Sequence, residues 1–129
     1  MYKQKIKILV AWAKPRAWKK GNEMGLPTSG GVYELLVLQS DRTWQRRYVG
    51  QGADTRERFL AHLSQSEPNA CLKGYLRGTY EVAFRYALIP SAADRADAEQ
   101  ALWDKWHHKC NQARPAGSGR GYDIDLVEE

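Results

Sequence analysis

Cysteine is scarce in this sequence, and its scarcity excludes two common classes of small protein. Only Cys71 and Cys110 occur among the 129 residues, which is too few for the disulfide framework of a small secreted domain. The two residues are also too far apart to form the paired-cysteine motif of a zinc site. We therefore expect both thiols to be reduced.

Long apolar runs are missing as well. The longest run, residues 32–38, is interrupted by Glu34 and is far shorter than the roughly 20 residues that cross a bilayer. The N-terminus leads into alternating lysine and isoleucine instead of the apolar block of a signal peptide. These patterns predict a cytoplasmic protein without a membrane-spanning helix.

Negative charge is outweighed by positive charge. There are 20 lysines and arginines against 15 acidic residues, which gives a formal net charge of +5. Such a balance favours a polyanionic partner, most often nucleic acid, although a basic solvated surface gives the same sum. The chain length and a hydrophobic content of 43% suit one domain with one core.

The hydrophobic pattern predicts an α+β fold in which helices flank a small antiparallel sheet. Apolar alternation with a period of two indicates strands, and capping residues at Asp54 and Ser91 indicate helix starts. The predicted strands cover residues 5–12, 31–38, 43–49 and 79–88. The predicted helices start near residues 55, 70 and 92, and the last of them runs to about Cys110. Three strands form the core of the sheet, and we expect the N-terminal strand to be added to it.

The basic segment at residues 14–21 is predicted to be a loop or a single helical turn. It contains Trp18 among lysines and an arginine, and an exposed tryptophan there would stack on a nucleic-acid base. Exposed tryptophan is rare, so we favour the interpretation in which Trp18 covers an edge of the sheet.

The helix that starts near Thr55 carries two basic residues on one face. Asp54 and Glu57 have the spacing of a capping box, which defines the helix start. Arg58 and His62 are four residues apart and therefore project from the same face. The apolar residues expected to pack on the core are Phe59, Leu60 and Leu63. An ordinary amphipathic helix with a basic solvated edge is the alternative.

Glu99 is an acidic residue on an apolar helix face. At 100° per residue it lies within the arc formed by Leu102, Trp103, Trp106 and Cys110. A carboxylate there loses hydration unless a cation, a metal ion or hydrogen-bond donors meet it. Glu99 is therefore a candidate functional residue, and an ion pair with a neighbouring lysine or arginine is the structural alternative.

Short motifs spread over residues 31–111 follow one another in a consistent order. They are Gly31-Val32-Tyr33, Tyr48-Val49-Gly50, Arg58, His62, Glu99-Gln100-Ala101-Leu102-Trp103 and Asn111. In order and spacing they resemble the signature of the GIY-YIG nuclease family. The predicted hairpin brings the two tyrosine motifs side by side, because antiparallel strands pair across their turn.

The resemblance implies a GIY-YIG-like fold and a metal-dependent DNA endonuclease. It implies a catalytic site made of Tyr33, Tyr48, Arg58, His62 and Glu99, in which Tyr33 activates the attacking water. Glu99 would hold Mg²⁺ or Mn²⁺, and Arg58 would bind the non-bridging phosphate oxygens. Residues with structural roles near this site would be Gly31, Gly50 and Asn111.

The chain departs from the family pattern at two points. Fourteen residues separate Tyr33 from Tyr48, more than is usual, so we expect a longer hairpin that reaches the substrate. A proline that often precedes the asparagine is absent, since Pro115 follows Asn111. The residues predicted to bind nucleic acid are Arg42, Arg46, Arg47, Arg56, Lys73 and Arg77, with Trp44 beside them on the hairpin.

Two other functions fit parts of the pattern. A nucleic-acid-binding module on the same scaffold would keep the charge without the chemistry, but it would not need a buried carboxylate. A zinc site made of Cys71, His107, His108 and Cys110 is disfavoured, because consecutive residues on a helix point about 100° apart.

The chain is expected to form one compact domain with three parts. These are an N-terminal extension with a basic strand at residues 1–25, a GIY-YIG-like core at residues 26–114, and a tail at residues 115–129. Residues 122–127 form a further strand or a C-terminal strap. No zinc finger or helix-turn-helix is visible in the sequence, so a homodimer, a larger protein partner or the N-terminal extension would select the target.

Overall fold

The computed structural model describes residues 3–129 and has an α+β architecture, as the sequence predicts. The elements of this part of the chain are β1 (Lys5–Val10), β2 (Arg16–Ala17), β3 (Gly31–Leu38), β4 (Trp44–Gly52), α1 (Thr55–His62), α2 (Ala70–Arg77), β5 (Val82–Leu88), α3 (Ala92–Trp106) and β6 (Asp123–Glu128). No helix among these is long and apolar enough to cross a membrane.

The main sheet has four antiparallel strands in the order β2-β5-β3-β4. The predicted hairpin is confirmed, with β3 and β4 paired from Gly31 opposite Gly52 to Leu38 opposite Trp44. A register shift between Leu35 and Leu36 leaves Arg47 as an extra residue in β4, which is the arrangement of a β-bulge. The third core strand, β5, pairs with the other edge of β3, as predicted.

The expectation that the N-terminal strand joins this sheet is wrong. Strand β1 forms, but it pairs in parallel with β6 as a separate two-stranded sheet. The fourth place in the main sheet is taken by β2, in a segment predicted to be a loop or a helical turn. The reason is that the chain after β1 runs along the free edge of β5, with bonds from Ala13 N to Tyr86 O (2.8 Å) and from Trp18 N to Val82 O (3.1 Å).

The central strand β3 is buried on both faces, so every residue from 31 to 37 is buried. One face packs against α1, α2 and the β2 segment, through Tyr33, Leu35, Val37, Phe59, Leu72 and Trp18. The other face packs against α3 and β1, through Val32, Val49, Ala98, Leu102, Ile8 and Val10. Two hydrophobic layers therefore hold β3 in place, and its side chains cannot shift without disturbing one of them.

Trp18 covers the sheet, and the alternative of an exposed base-stacking residue is wrong. Its side chain is 1% exposed, and its ring stacks on Phe59 with centroids 5.7 Å apart. Its indole N–H donates to Phe59 O at 3.0 Å, which satisfies the polar atom of a buried tryptophan.

Glu34 carries a fully buried carboxylate in the middle of β3. It accepts hydrogen bonds from Arg85 Nε (2.7 Å) and from His108 Nε2 (2.6 Å), and Arg46 lies at 3.5 Å. His108 reaches it because α3 ends at Trp106, earlier than the predicted end near Cys110. Three basic groups compensate this charge, as the burial of a carboxylate requires.

Cys71 and Cys110 form a disulfide, so the expectation of reduced thiols is wrong. Their Cα atoms are 5.3 Å apart although 39 positions separate them in the sequence, because α2 packs beside the turn that follows α3. The bridge also removes both thiols from the zinc-site alternative. Disulfides are favoured by oxidising compartments, and the cytoplasmic location stays a prediction.

Gly50 leaves the space that the Tyr33 ring occupies, and this packing can be tested. A methyl group at Gly50 would lie 2.5 Å from Tyr33 Cζ, whereas one at Gly74 in α2 would meet no atom within 4 Å. We expect Gly50→Ala to lower the free energy of unfolding by about 2 kcal/mol through overpacking. The matched control Gly74→Ala should raise it by about 0.5 kcal/mol. Urea unfolding measures both, and equal stabilities would contradict this packing.

Candidate active site

Helix α1 starts as the sequence predicts and turns a polar residue toward the core. Asp54 is the N-cap, and its carboxylate accepts the Glu57 N–H at 2.9 Å. The buried residues of α1 are Thr55, Phe59 and His62. Leu60 is 39% exposed, so the expectation that it packs on the core is wrong. The helix is rotated so that His62, rather than Leu60, faces the sheet.

Four of the predicted catalytic residues meet at this helix face. Tyr33 Oη lies 2.6 Å from His62 Nε2, and Arg58 Nε lies 3.3 Å from the same Tyr33 hydroxyl. Arg58 Nη2 is 3.2 Å from His62 Nε2. The Tyr48 ring centroid is 6.2 Å from that of Tyr33 and 5.4 Å from that of His62. Hydrogen-bonding contacts thus join Tyr33, Arg58 and His62, and the Tyr48 phenol lies beside them.

The two predicted structural glycines each allow a close approach. Gly50 is the cross-strand partner of Tyr33, and its missing side chain leaves room for the phenol. A methyl group at Gly31 would lie 2.5 Å from Ala87 O and 3.1 Å from Thr55 Oγ1. Gly31 therefore lets β3 approach β5 and the start of α1, and Gly50 makes room for the Tyr33 ring.

Asn111 holds the outer edge of β4 beside Tyr48. Its side-chain oxygen accepts the Val49 N–H at 3.0 Å, and its amide nitrogen donates to Val49 O at 2.9 Å. The backbone N–H of Cys110 also donates to Arg47 O at 2.7 Å. These bonds satisfy groups that an edge strand would otherwise leave unpaired.

Glu67 is a site residue that the sequence analysis missed. Its Oε2 lies 2.7 Å from His62 Nδ1, and both side chains are buried. Its Oε1 accepts the backbone N–H of Asn69 at 3.1 Å. The segment between α1 and α2 has no periodicity, so the only sequence signal was an acidic residue shortly after His62.

The pKa of His62 is lowered, chiefly because burial disfavours the imidazolium ion. The positive charge of Arg58 lowers it further, while the hydrogen bond and the charge of Glu67 oppose the shift. The ring is therefore neutral at neutral pH and carries one N–H. Because the Glu67 carboxylate accepts a hydrogen bond, we assign that hydrogen to Nδ1. The lone pair on Nε2 then faces the Tyr33 hydroxyl.

Burial raises the pKa of both tyrosines. The pKa of Tyr33 lies well above its usual range because of burial and the neighbouring Tyr48, and the Arg58 charge offsets only part of this. The pKa of Tyr48 is raised by burial and then by the charge of Glu99. Both phenols are therefore protonated at neutral pH, and the Tyr33 O–H donates to His62 Nε2.

Glu99 is close enough to the cluster to interact electrostatically with it. Burial raises the pKa of Glu99 to about 7, and the Arg58 charge counteracts this shift. Its own charge raises the pKa values of Tyr33 and Tyr48. Within residues 3–129 its carboxylate makes no hydrogen bond or salt bridge, so the ion pair offered as the structural alternative is not formed there.

A half-buried carboxylate without a hydrogen-bond partner fits one mode of magnesium binding. Mg²⁺ is often held by one or two carboxylates and several waters rather than by a full protein cage. No group of three or more His, Cys, Asp or Glu residues within the described part of the chain could hold a metal ion. The Mg²⁺ or Mn²⁺ ion, with Glu99 as its ligand, stays a prediction from the sequence.

A cleft of about 450 Å³ opens beside the cluster. Its lining includes Tyr48, Arg58, His62, Glu67, Asn69 and Gln112. Phosphate oxygens that enter this cleft would meet the Arg58 guanidinium, a group suited to binding such oxygens.

The six basic residues predicted to bind nucleic acid occupy different environments. Arg42 and Arg77 are exposed. Arg56 Nε donates to Leu26 O at 3.0 Å, and Lys73 Nζ donates to Gln65 O at 3.1 Å. Arg46 forms a salt bridge with Glu128 at 2.6 Å, so its charge is compensated internally. Arg47 is half-buried beside Tyr48.

Comparison with known proteins returned no relative. No protein-family model matches the chain, and no curated protein or solved structure matches it.

The raised pKa of Glu99 predicts a pH-dependent effect of Glu99→Gln on stability. The folded-state pKa of about 7 exceeds the ordinary value of 4.5, so ionisation of Glu99 destabilises the wild type as pH rises from about 4.5 to about 7. Glutamine cannot ionise. The free energy of unfolding of Glu99→Gln should therefore exceed that of the wild type by on the order of 2 kcal/mol at about pH 8. The two values should match near pH 4.5.

Thermal unfolding across this pH range measures the difference. Glu81→Gln, at an exposed residue, is the control and should match the wild type throughout. Added Mg²⁺ should stabilise the wild type at about pH 8 but not Glu99→Gln, because only the native carboxylate would bind the cation. A stability difference that does not vary with pH would refute the burial of an ionisable Glu99.

Proposed function

We propose that this protein is a metal-dependent DNA endonuclease of the GIY-YIG type that hydrolyses phosphodiester bonds. The observation that carries the proposal is the hydrogen-bonded cluster of Tyr33, Arg58 and His62, with Tyr48 and Glu99 in its electrostatic neighbourhood. These are the residues on which the family's motifs fall. A net charge of +5 is consistent with a nucleic-acid substrate.

Arg58 would bind the scissile phosphate. Its guanidinium is about half-buried, and its Nε contacts the Tyr33 hydroxyl. A planar guanidinium that is already oriented by such a contact binds phosphate oxygens and the charge that develops on them in the transition state. Arg58 therefore holds the phosphorus next to the Tyr33 hydroxyl, where the attacking water must lie.

Tyr33 and His62 would remove the proton from that water. Because the pKa of Tyr33 is raised, no phenolate is present at neutral pH to act as the base. Instead, Tyr33 Oη accepts a proton from the water while its own proton passes to His62 Nε2, 2.6 Å away. The new P–O bond forms as the bond to the leaving oxygen breaks, and that oxygen takes a proton from solvent. The Glu67 carboxylate then stabilises the imidazolium ion of His62.

Tyr48 and Glu99 complete the site. Tyr48 lines the cleft, where its protonated hydroxyl can orient the water or the phosphate. Glu99 would hold Mg²⁺ or Mn²⁺, which would supply positive charge to the phosphate and to the leaving oxygen. A module that only binds nucleic acid would gain nothing from a half-buried carboxylate without a hydrogen-bond partner, and this favours the nuclease over the binding-only alternative.

Substitution of Arg58 or Glu99 tests the nuclease proposal. Arg58→Ala and Glu99→Gln should each lower the rate of magnesium-dependent plasmid nicking by at least about 100-fold, because each removes transition-state charge stabilisation. Folding, followed by circular dichroism, and DNA retention in gels should be largely preserved. Glu81→Gln, at an exposed site outside the cluster, should nick DNA at the wild-type rate. Unchanged nicking by both site variants would refute the proposal.

Glu67→Gln tests the proton relay through its pH profile. Glutamine can still accept the His62 Nδ1–H, but it removes the negative charge that raises the pKa of His62. Activity requires neutral His62, so the nicking rate falls as the pH drops through the pKa of His62. The acid limb of the nicking profile should therefore move to lower pH, and the plateau rate should fall about tenfold because the base is weaker.

The profiles are compared at saturating Mg²⁺ so that Glu99 stays ionised in both proteins. A purely structural role for Glu67 would change the rate or the stability without moving the acid limb. A lowered plateau with an unmoved limb would therefore contradict the relay.

A further inference from the structure

A second cleft of about 350 Å³ lies where the start of β4 meets the end of α3. It is lined by Trp44, Gln45, Arg46, Arg47, Trp106, His107 and Lys109. This lining contains two tryptophans and three permanent cations, which are two arginines and a lysine. None of the lining residues that the structure describes is acidic. This composition suits a ligand that carries negative charge together with flat aromatic surfaces.

Two of the three cations are available to a ligand. Arg46 already pairs with Glu34 and Glu128. Arg47 and Lys109, in contrast, form no salt bridge with any residue between 3 and 129. The Arg47 Nε atom is buried without a hydrogen-bond partner in that same range, which is an unfavourable state for a charged group. An anionic ligand in the cleft would instead reach the exposed part of this half-buried guanidinium and offset its charge.

The two tryptophans offer aromatic surface to solvent. Trp44 is 45% exposed and Trp106 is 43% exposed, and exposure on this scale is unusual for tryptophan. Trp106 is also held in a fixed orientation, because its indole N–H donates to Glu128 Oε2 at 3.0 Å and the Arg46 guanidinium lies 3.9 Å from its ring centroid. Arg46 covers part of this ring and Lys105 Nζ lies 5.1 Å from its centroid, so a base would contact the part of Trp106 that stays exposed.

We propose that this cleft binds single-stranded DNA, with bases stacked on Trp44 and Trp106 and phosphates bound by Arg47 and Lys109. Stacking platforms beside cations are the usual way to bind a single strand without reading its sequence. A duplex conceals the faces of its bases within the helical stack, so it would leave both tryptophans exposed. The inference rests on the proposed function for DNA as the substrate.

The position of the cleft relates it to the catalytic residues. Arg47 immediately precedes Tyr48, and Tyr48 lines the cleft that contains Arg58 and His62. Consecutive residues of β4 therefore line the two clefts. This arrangement would favour substrates with an unpaired arm next to the scissile bond, such as flaps or branches, over uninterrupted duplex.

Fluorescence anisotropy with labelled oligo(dT) of about 12 nucleotides, in EDTA so that no metal-dependent cleavage occurs, tests the inference. The wild type should bind this oligonucleotide more tightly than a blunt duplex of the same length. Trp44→Ala should weaken oligo(dT) binding about tenfold and leave duplex binding unchanged. Trp44→Phe keeps an aromatic face and should bind close to the wild-type level.

Tyr80→Ala is the matched control, because Tyr80 is 58% exposed but lies outside the cleft; its oligo(dT) affinity should equal that of the wild type. Equal affinities of Trp44→Ala and wild type, tighter binding of duplex, or tighter binding of oligo(rU) than of oligo(dT) would each overturn the inference. Binding through Trp44 without plasmid nicking would refute the proposed nuclease alone. Nicking without Trp44-dependent binding would refute the single-strand site alone.

Discussion

The hydrogen bond between Tyr33 and His62 links β3, the central strand of the sheet, to α1, the helix that packs on it. Both side chains are buried, and a hydrogen bond is electrostatically stronger in such a low-dielectric environment. Its geometry sets the position of Arg58 on the same helix and of Tyr48 on the next strand. With the hydrogen of the neutral His62 ring on Nδ1, the form that the contact with Glu67 favours, Tyr33 donates this bond and His62 Nε2 accepts it.

A second constraint acts on the opposite face of the same strand. The Glu34 carboxylate is fully buried and draws together Arg85, Arg46 and His108 from three other parts of the chain. Arg46 extends this network to Glu128 in the last strand. Because removing one partner of a buried ion pair is strongly destabilising, these contacts hold β3 in one position. The catalytic candidates on its other face are thereby held as well.

The sequence predicts the local features of the fold and site well and the long-range ones poorly. The hairpin and the Asp54 cap follow from alternation and capping rules that act within a few residues, and they bring Tyr33, Tyr48, Arg58 and His62 together. Pairing of β1 with β6 and the disulfide between Cys71 and Cys110 depend on how distant segments pack, which periodicity does not encode. Glu67 lies in an aperiodic connection, and its role is visible only once its distance to His62 is known.

The cluster around Tyr33 and His62 is proposed to hydrolyse DNA. The most direct measurement is incubation of the wild-type protein with supercoiled plasmid, with Mg²⁺ or with EDTA, followed by gel electrophoresis. We expect nicked and linear DNA with Mg²⁺ and intact plasmid with EDTA. Plasmid that is retarded by the protein but remains uncut in Mg²⁺ and in Mn²⁺ would contradict it and would leave a fold that binds DNA without cleaving it.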